Sequence, residues 1–342
     1  MPEHKMILLQ KPQVNISCST SGRMWLVAGC AFLCILQSAA SDGGQSLTIA
    51  LTVFFTALLF ELLLTWKKSG ITKITDGSAA AAAMVLTLLL PNQLHPIYAA
   101  LGVMFAIGVV KYSSGGLGAN WLNPALAGWL FIRFSWPAVF AKALEGSAAS
   151  IAEMSLSSGA SGALDNSVSS FLNDTIFSVF GAQMPSGYID LLFSKNPGII
   201  ADRGLFALLA GTVIITALGI NRGWIPLVFL SVYGFLIRLT GDLPNAFWNG
   251  DILYGFFSGG TIAAAFILAA EPATSAKLKQ GVLAAVISGA VLSWVFRYRC
   301  LEYSGCFIAL AAVNCMTPLL RFLEEKFFLF PNDPGVFSGD AS

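Results

Sequence analysis

Ten apolar stretches follow one another along the chain, separated by polar or glycine-rich breaks: Met24 to Ala40, Ser46 to Trp66, Ser78 to Pro91, Ile97 to Val110, Trp121 to Val139, Gly204 to Ile220, Trp224 to Thr240, Ile252 to Ala270, Gly281 to Phe296 and Ser304 to Leu320. They are continuous rather than alternating, which predicts membrane helices and not the strands of a barrel. Several fall short of the roughly 20 residues that a perpendicular crossing needs, so broken or partly buried helices are also predicted. The fold class is an all-α polytopic membrane protein of about ten transmembrane helices. One break stands apart. The segment "YSSGGLGANWLNPALAGWLF", Tyr112 to Phe131, sets a glycine-rich, asparagine-bearing turn between two apolar runs. Beside membrane spans its free backbone N–H and C=O groups must be buried in protein or face a cavity, so the turn marks a candidate site.

Only one long hydrophilic insertion interrupts the series, at residues 140–203, rich in Ser, Gly and Ala. Connections of this length are functional or disordered. The chain thus divides into an N-terminal segment (1–23), a first five-helix block (24–139), the insertion (140–203), a second five-helix block (204–320) and a tail (321–342). Placing the N-terminus inside the cell puts twelve of the nineteen Lys and Arg, Lys111 among them, on the cytoplasmic side. Seven, including Arg133 and Arg297, fall outside, which is the direction the positive-inside rule requires. The even number of spans returns the C-terminus to the cytoplasm and leaves 140–203 outside. An internal echo points to a repeat: Asn120 and Pro124 recur as Asn314 and Pro318, and the segments "DGSAAAAAMVLTLLLP" and "SGGTIAAAFILAAEP" lie upstream of them. Five helices per block would turn the second block upside down relative to the first, giving two inverted five-helix repeats.

Composition agrees with the helix pattern. The chain of 342 residues is 56% hydrophobic and 11% charged, with a mean hydropathy of +0.74, too few charges to cover a soluble globule. The lipid bilayer is its surroundings. A net charge of +1 without clustered Lys and Arg excludes a nucleic-acid surface. Six cysteines form no C-x-x-C pair; Cys30 and Cys34 share a helix face and read as small core thiols, with a cluster shared with a partner subunit as the alternative. The polar N-terminal segment leads into the first span without a cleavage site of the secretory kind. Neither phosphate-loop pattern occurs, and two histidines, His4 and His95, build no catalytic triad.

Acidic residues near or within the spans are Glu61, Asp76, Asp251, Glu271 and Glu302. A carboxylate in hydrocarbon costs roughly 3 kcal/mol or more, so each needs a partner, an aqueous cavity or a part in ion passage. Asp76 and Glu271 occupy loops of the two blocks on the same side. Asp76 reads equally as a helix N-cap, and Glu271 as a helix end broken by Pro272. Gly115, Gly116 and Gly118 permit close backbone approach, and Asn120 and Asn123 offer amide donors and acceptors to that backbone or to a ligand ring. In the insertion, Ser161 presents a hydroxyl among small residues, where composition alone reads as a flexible linker.

The segments "TDGSAAAAAMVLTLLLP", "YSSGGLGANWLNPALAG", "RGWIPLVFL", "SGGTIAAAFILAAEPATS" and "AAVNCMTPLL" together resemble the D-subunit family of Rnf ion-translocating ferredoxin:NAD oxidoreductase complexes. That family is homologous to the B subunit of the sodium-pumping NADH:quinone reductase. The resemblance runs from Thr20 to Leu320. It implies a ten-helix inverted-repeat subunit, similar in fold to urea channels, in the bacterial inner membrane, with the other Rnf subunits as partners. It further implies FMN esterified through its phosphate to a threonine of the external loop by a flavin transferase, in a motif like S-x-A-T-P-L, and electron relay coupled to passage of Na⁺ or H⁺. A second, non-covalent flavin such as riboflavin stays open. The motif here departs from that pattern: Ser161 stands at the threonine, Gly162 at the proline, and Ser155, with Glu153 nearby, at an acidic position. A serine hydroxyl can form the same phosphoester. Carried onto this chain, the resemblance makes Ser161 the anchor, lines the cofactor or ion path with Gly115, Gly116, Asn120 and Asn123, and gives charge handling to Asp76 and Glu271. The altered motif equally fits a flavin-free channel-like or scaffold subunit on the same fold.

Overall fold

A computed structural model describes residues 19–66, 75–113, 120, 122–144, 163–175, 192–193, 198–240, 251–272 and 274–324. Each apolar stretch carries a helix or a pair of helices. In the first block these are α1 (Thr20–Ser41), α2 (Gln45–Thr65), α3 (Ser78–Leu89), α4 (Pro96–Lys111), α5 (Pro124–Ser135) and α6 (Pro137–Leu144). The insertion contributes α7 (Ala163–Thr175). It ends in α8 (Ile200–Arg203), and beyond it come α9 (Leu205–Ala217), α10 (Trp224–Thr240), α11 (Ile252–Phe257), α12 (Thr261–Ala263, running on as a π-helical turn over Ala264–Leu268), α13 (Lys279–Arg299) and α14 (Gly305–Glu324). Helices α1, α2, α13 and α14 are long and apolar enough to cross a membrane, and α3, α4, α9 and α10 are shorter apolar helices. This is a multi-pass membrane protein, helical throughout its described residues apart from one isolated bridge between Pro91 and Ile199.

The breaks fall where the sequence supplies breakers. Pro91 follows α3, and α4 restarts at Pro96 with His95 as N-cap, its Nδ1 accepting from Ile97 N–H at 3.3 Å. The eighth stretch is split at Ser258 to Gly260, where Gly259 and Gly260 both hold positive φ. Helix α3 is the axle of the first block: every residue but Ala82 is buried, between α1, α2 and α5. Outward-facing Phe55, Leu59 and Leu63 of α2 are left for lipid. Helices α4 and α5 pack through small residues, as membrane helices do; a Cβ on Gly128 would stand 2.8 Å from the carbonyl oxygen of Gly102. The second block is built on α10, α13 and α14, and the blocks meet where α1 lies on α9 and α5 on α14.

The asparagine–proline echo does not mark matching positions. Pro124 opens α5, where its missing N–H costs nothing, whereas Pro318 lies inside α14. A different pair matches in both sequence and geometry. Helices α4 and α13 each end in a π-helical turn, Ala106–Lys111 and Val295–Arg299, and "VVKY" (109–112) answers "VFRY" (295–298). In each case the cation reaches the hydroxyl that opens a helix just after a left-handed glycine. Lys111 Nζ donates to Ser78 Oγ at 2.6 Å, after Gly77 at φ 72°. Arg297 Nη1 donates to Thr261 Oγ1 at 3.1 Å, after Gly260 at φ 71°. Both cations, read from sequence as loop charges, are buried, Lys111 at 4% exposure and Arg297 at 0%. The π turns carry the helices far enough to pull these side chains inside.

Candidate functional site

The start of α3 is fixed by α1. Ser21 Oγ and Trp25 Nε1 both donate to Thr75 O, at 2.8 and 3.1 Å, which sets the turn through Gly77. Asp76 Oδ1 accepts from Ser78 N–H at 2.8 Å and from Ser78 Oγ at 2.6 Å, so it satisfies a free donor of the first turn. The start of α5 is fixed by Pro124 at its first position and Asn123 as N-cap, whose Oδ1 accepts from Leu126 N–H at 3.1 Å. These two helix starts face one cavity of about 220 Å³, lined on its other sides by the beginning of α1, the end of α9 and the π turn of α12.

Its polar rim joins the two blocks. With Asn123 Oδ1 committed to the cap, the Nδ2 amide donates to Glu271 Oε2 at 2.6 Å. Glu271 stands where α12 ends and Pro272 turns the chain away, and Thr274 Oγ1 approaches the same oxygen at 3.5 Å. The end of α14 holds this loop: Arg321 Nη2 donates to Ser275 O at 2.7 Å, and Glu324 accepts from Lys277 N–H at 2.9 Å and Leu278 N–H at 3.2 Å. No basic side chain among the described residues lies within ion-pair distance of Glu271. Asn120 also lines the cavity, 6% exposed, and its Oδ1 has no hydrogen-bond partner among the described residues. The walls are apolar, with Val85, Phe266 and Ile267 among them.

A second polar group backs the cavity. Lys111 Nζ is paired with Glu61 Oε1, which also accepts from Tyr112 OH at 3.1 Å. Lys111 and Ser78 line the cavity; Glu61 lies behind them, 1% exposed. A buried charge is tolerable only with its partner in place, and removal of one member is strongly destabilising. The donor chain runs from Lys111 through Ser78 Oγ to Asp76.

Of the residues marked in the sequence, Asn120, Asn123 and Glu271 thus come together at one cavity, with Asp76 one hydroxyl behind it. Gly115, Gly116 and Ser161 lie outside the described residues. The remaining acids have structural partners: Asp251 Oδ1 caps α11 by accepting from Tyr254 N–H at 2.9 Å, and Glu302 pairs with Arg133 at 3.1 Å. Cys30 and Cys34 are buried on α1 facing Gly211 and the α8 carbonyls, and the described residues hold no cluster that could bind a metal. Lys111, Arg23 and Asn221 are polar cavity residues that sequence reading passed over; for Lys111 the "VVKY"/"VFRY" match was the signal.

Compared with known proteins, residues 7–328 match the model of the NQR2, RnfD, RnfE family. The chain is 26% identical over 310 residues to the D subunit of the proton-translocating ferredoxin:NAD(+) oxidoreductase complex of Clostridium ljungdahlii, covering 90% of this chain and 91% of that one. It is 27% identical over 308 residues to the D subunit of the Na(+)-translocating ferredoxin:NAD(+) oxidoreductase complex of Acetobacterium woodii, covering 89% and 83%. Over 243 residues, 69% of this chain and 55% of the other, it is 27% identical to the B subunit of the Na(+)-translocating NADH-quinone reductase of Haemophilus influenzae.

Proposed function

The chain belongs to the NQR2, RnfD, RnfE family, and from that premise we propose that it is the membrane subunit of an Rnf-type complex, relaying electrons through flavin and coupling ferredoxin/NAD chemistry to movement of Na⁺ or H⁺. The observation that carries this reading is the alignment of about nine-tenths of the chain with relatives named as the D subunits of such complexes. The other Rnf subunits are then its partners and the bacterial inner membrane its place, with both termini cytoplasmic and residues 140–203 outside. Two inverted five-helix repeats are the architecture, supported by the matched π turns that bear Lys111 and Arg297.

Two flavins enter the reading. FMN is joined to Ser161 through its phosphate by a flavin transferase. The second is a non-covalent flavin, riboflavin, whose ring end the cavity suits: the walls are apolar like the flat ring, and Asn120 Oδ1 and Asn123 Nδ2 offer the acceptor and donor that its heteroatom edge requires. Asn120 Oδ1, without a hydrogen-bond partner among the described residues, is the feature that calls for a ligand, since a buried polar atom left unpaired is costly. When bound, the flavin supplies the redox chemistry. The protein's share is to hold Asn123 between the α5 backbone and Glu271, so that its amide points one way, and to keep water from the ring with Val85, Phe266 and Ile267.

The covalent flavin is tested by expressing the chain with a flavin transferase and viewing a denaturing gel under ultraviolet light. A bright band that goes dark in Ser161→Ala is expected. A second reading, a flavin-free channel-like or scaffold subunit, is favoured by Ser161 and Gly162 standing where the family pattern has threonine and proline. A dark wild-type band, under conditions where a partner subunit labels, would establish that reading instead.

A further inference from the structure

Building on the cavity reading above, we propose that Lys111 sets the reduction potential of the flavin bound there, with Glu61 as the counter-charge that holds it in the wall. The geometry of this ion pair is one-sided. Lys111 and Ser78 line the cavity, while Glu61 meets the ammonium from behind and is absent from the lining. The cavity therefore faces the positive end of the pair; Arg23 and Glu271 line its other walls, and the Asp76 carboxylate caps the start of α3, a background common to every variant below. Two electrons and one proton convert a neutral flavin into an anionic reduced one. A fixed positive charge beside the ring, away from bulk water, binds that form more tightly than the oxidised one and raises the potential.

The second block shows what this cation does when it is only a latch. Arg297 donates to Ser258 O at 2.6 Å, Ser258 Oγ at 2.5 Å and Thr261 Oγ1 at 3.1 Å. It is wholly enclosed, with the rings of Tyr254 and Tyr303 each 6.0 Å away, and no carboxylate among the described residues lies within ion-pair distance. Its direct partners are backbone and hydroxyl oxygens, and the buried Asp202 carboxylate stands one step removed, accepting from Gly260 N–H at 2.9 Å and Tyr303 OH at 2.8 Å. Lys111 sits in the same frame but is paired directly with a carboxylate behind it and has an open cavity in front. That difference assigns it a task beyond latching the start of α3.

The test uses the full-length chain in its Ser161→Ala form, so that no covalent FMN contributes, loaded with riboflavin and titrated with dithionite in the presence of redox mediators. Lys111→Met is expected to shift the riboflavin potential to more negative values, Glu61→Gln to shift it to more positive values, and Lys111→Arg to leave it in place. The double variant Lys111→Met/Glu61→Gln, which orphans no charge, is expected to shift it negative and carries the test should a single variant fail to fold. A tenfold fall in preference for reduced over oxidised flavin reads as about 30 mV. A purely structural Lys111 predicts one common potential. Finding that, with riboflavin still bound, would overturn the inference and leave the cavity reading standing. A Ser161→Ala chain that binds no riboflavin overturns the cavity reading and this inference together.

Discussion

Asn123 does two jobs with one amide. Its oxygen caps α5 and its nitrogen holds Glu271 of the other block, and substitution can separate them. Asn123→Asp keeps an excellent cap but sets a carboxylate against Glu271 where a donor stood 2.6 Å away. The expected loss is about 1–3 kcal/mol, the cost of leaving a buried polar partner unsatisfied. It should be read by thermal unfolding in detergent, with Glu271→Gln in the same chain restoring most of it, because the glutamine amide can donate to the new aspartate. No recovery in the double variant would mean that the contact contributes nothing. Both asparagines and Glu271 were legible as candidates because polar side chains beside glycine and proline at membrane depth are costly without a task. Lys111 was not, because counting basic residues by loop treats each of them as solvated.

Among the elements, the start of α13 has no capping side chain of its own: its N-cap, Leu278, is extended and apolar. Glu324, from the far end of α14 and 4% exposed, takes up the Lys277 and Leu278 N–H groups instead. Glu324→Ala should cost about 1–2 kcal/mol, the usual worth of a helix cap, and should speed amide hydrogen exchange at Lys277 and Leu278 while leaving the start of α5 unchanged. Equal exchange in both forms would remove Glu324 from this role. Sequence periodicity located the helices well, since apolar runs and proline breaks act locally: Ser78, Trp224 and Thr240 bound both an expected stretch and an observed helix. It was silent on contacts such as that of Glu324, which join residues more than forty positions apart. Pro318 falls inside α14, as it falls inside the tenth apolar stretch.

For the molecule as a whole, the proposed orientation places Ser161 and the cavity on opposite sides of the lipid. A single cysteine at Ser161, in a chain whose six native cysteines are replaced, should react in intact cells with a membrane-impermeant maleimide. Labelling seen only after the cells are opened would reverse the orientation and the assignment of both flavins to their sides. The first-block frame opens on a cavity, whereas Arg297 of the second is fully buried. The grip of Arg321 and Glu324 on residues 275–278 has a mechanical corollary. The last turn of α14 is thus a tiller for the loop that follows Glu271: a displacement of that turn would carry residues 275–278 with it.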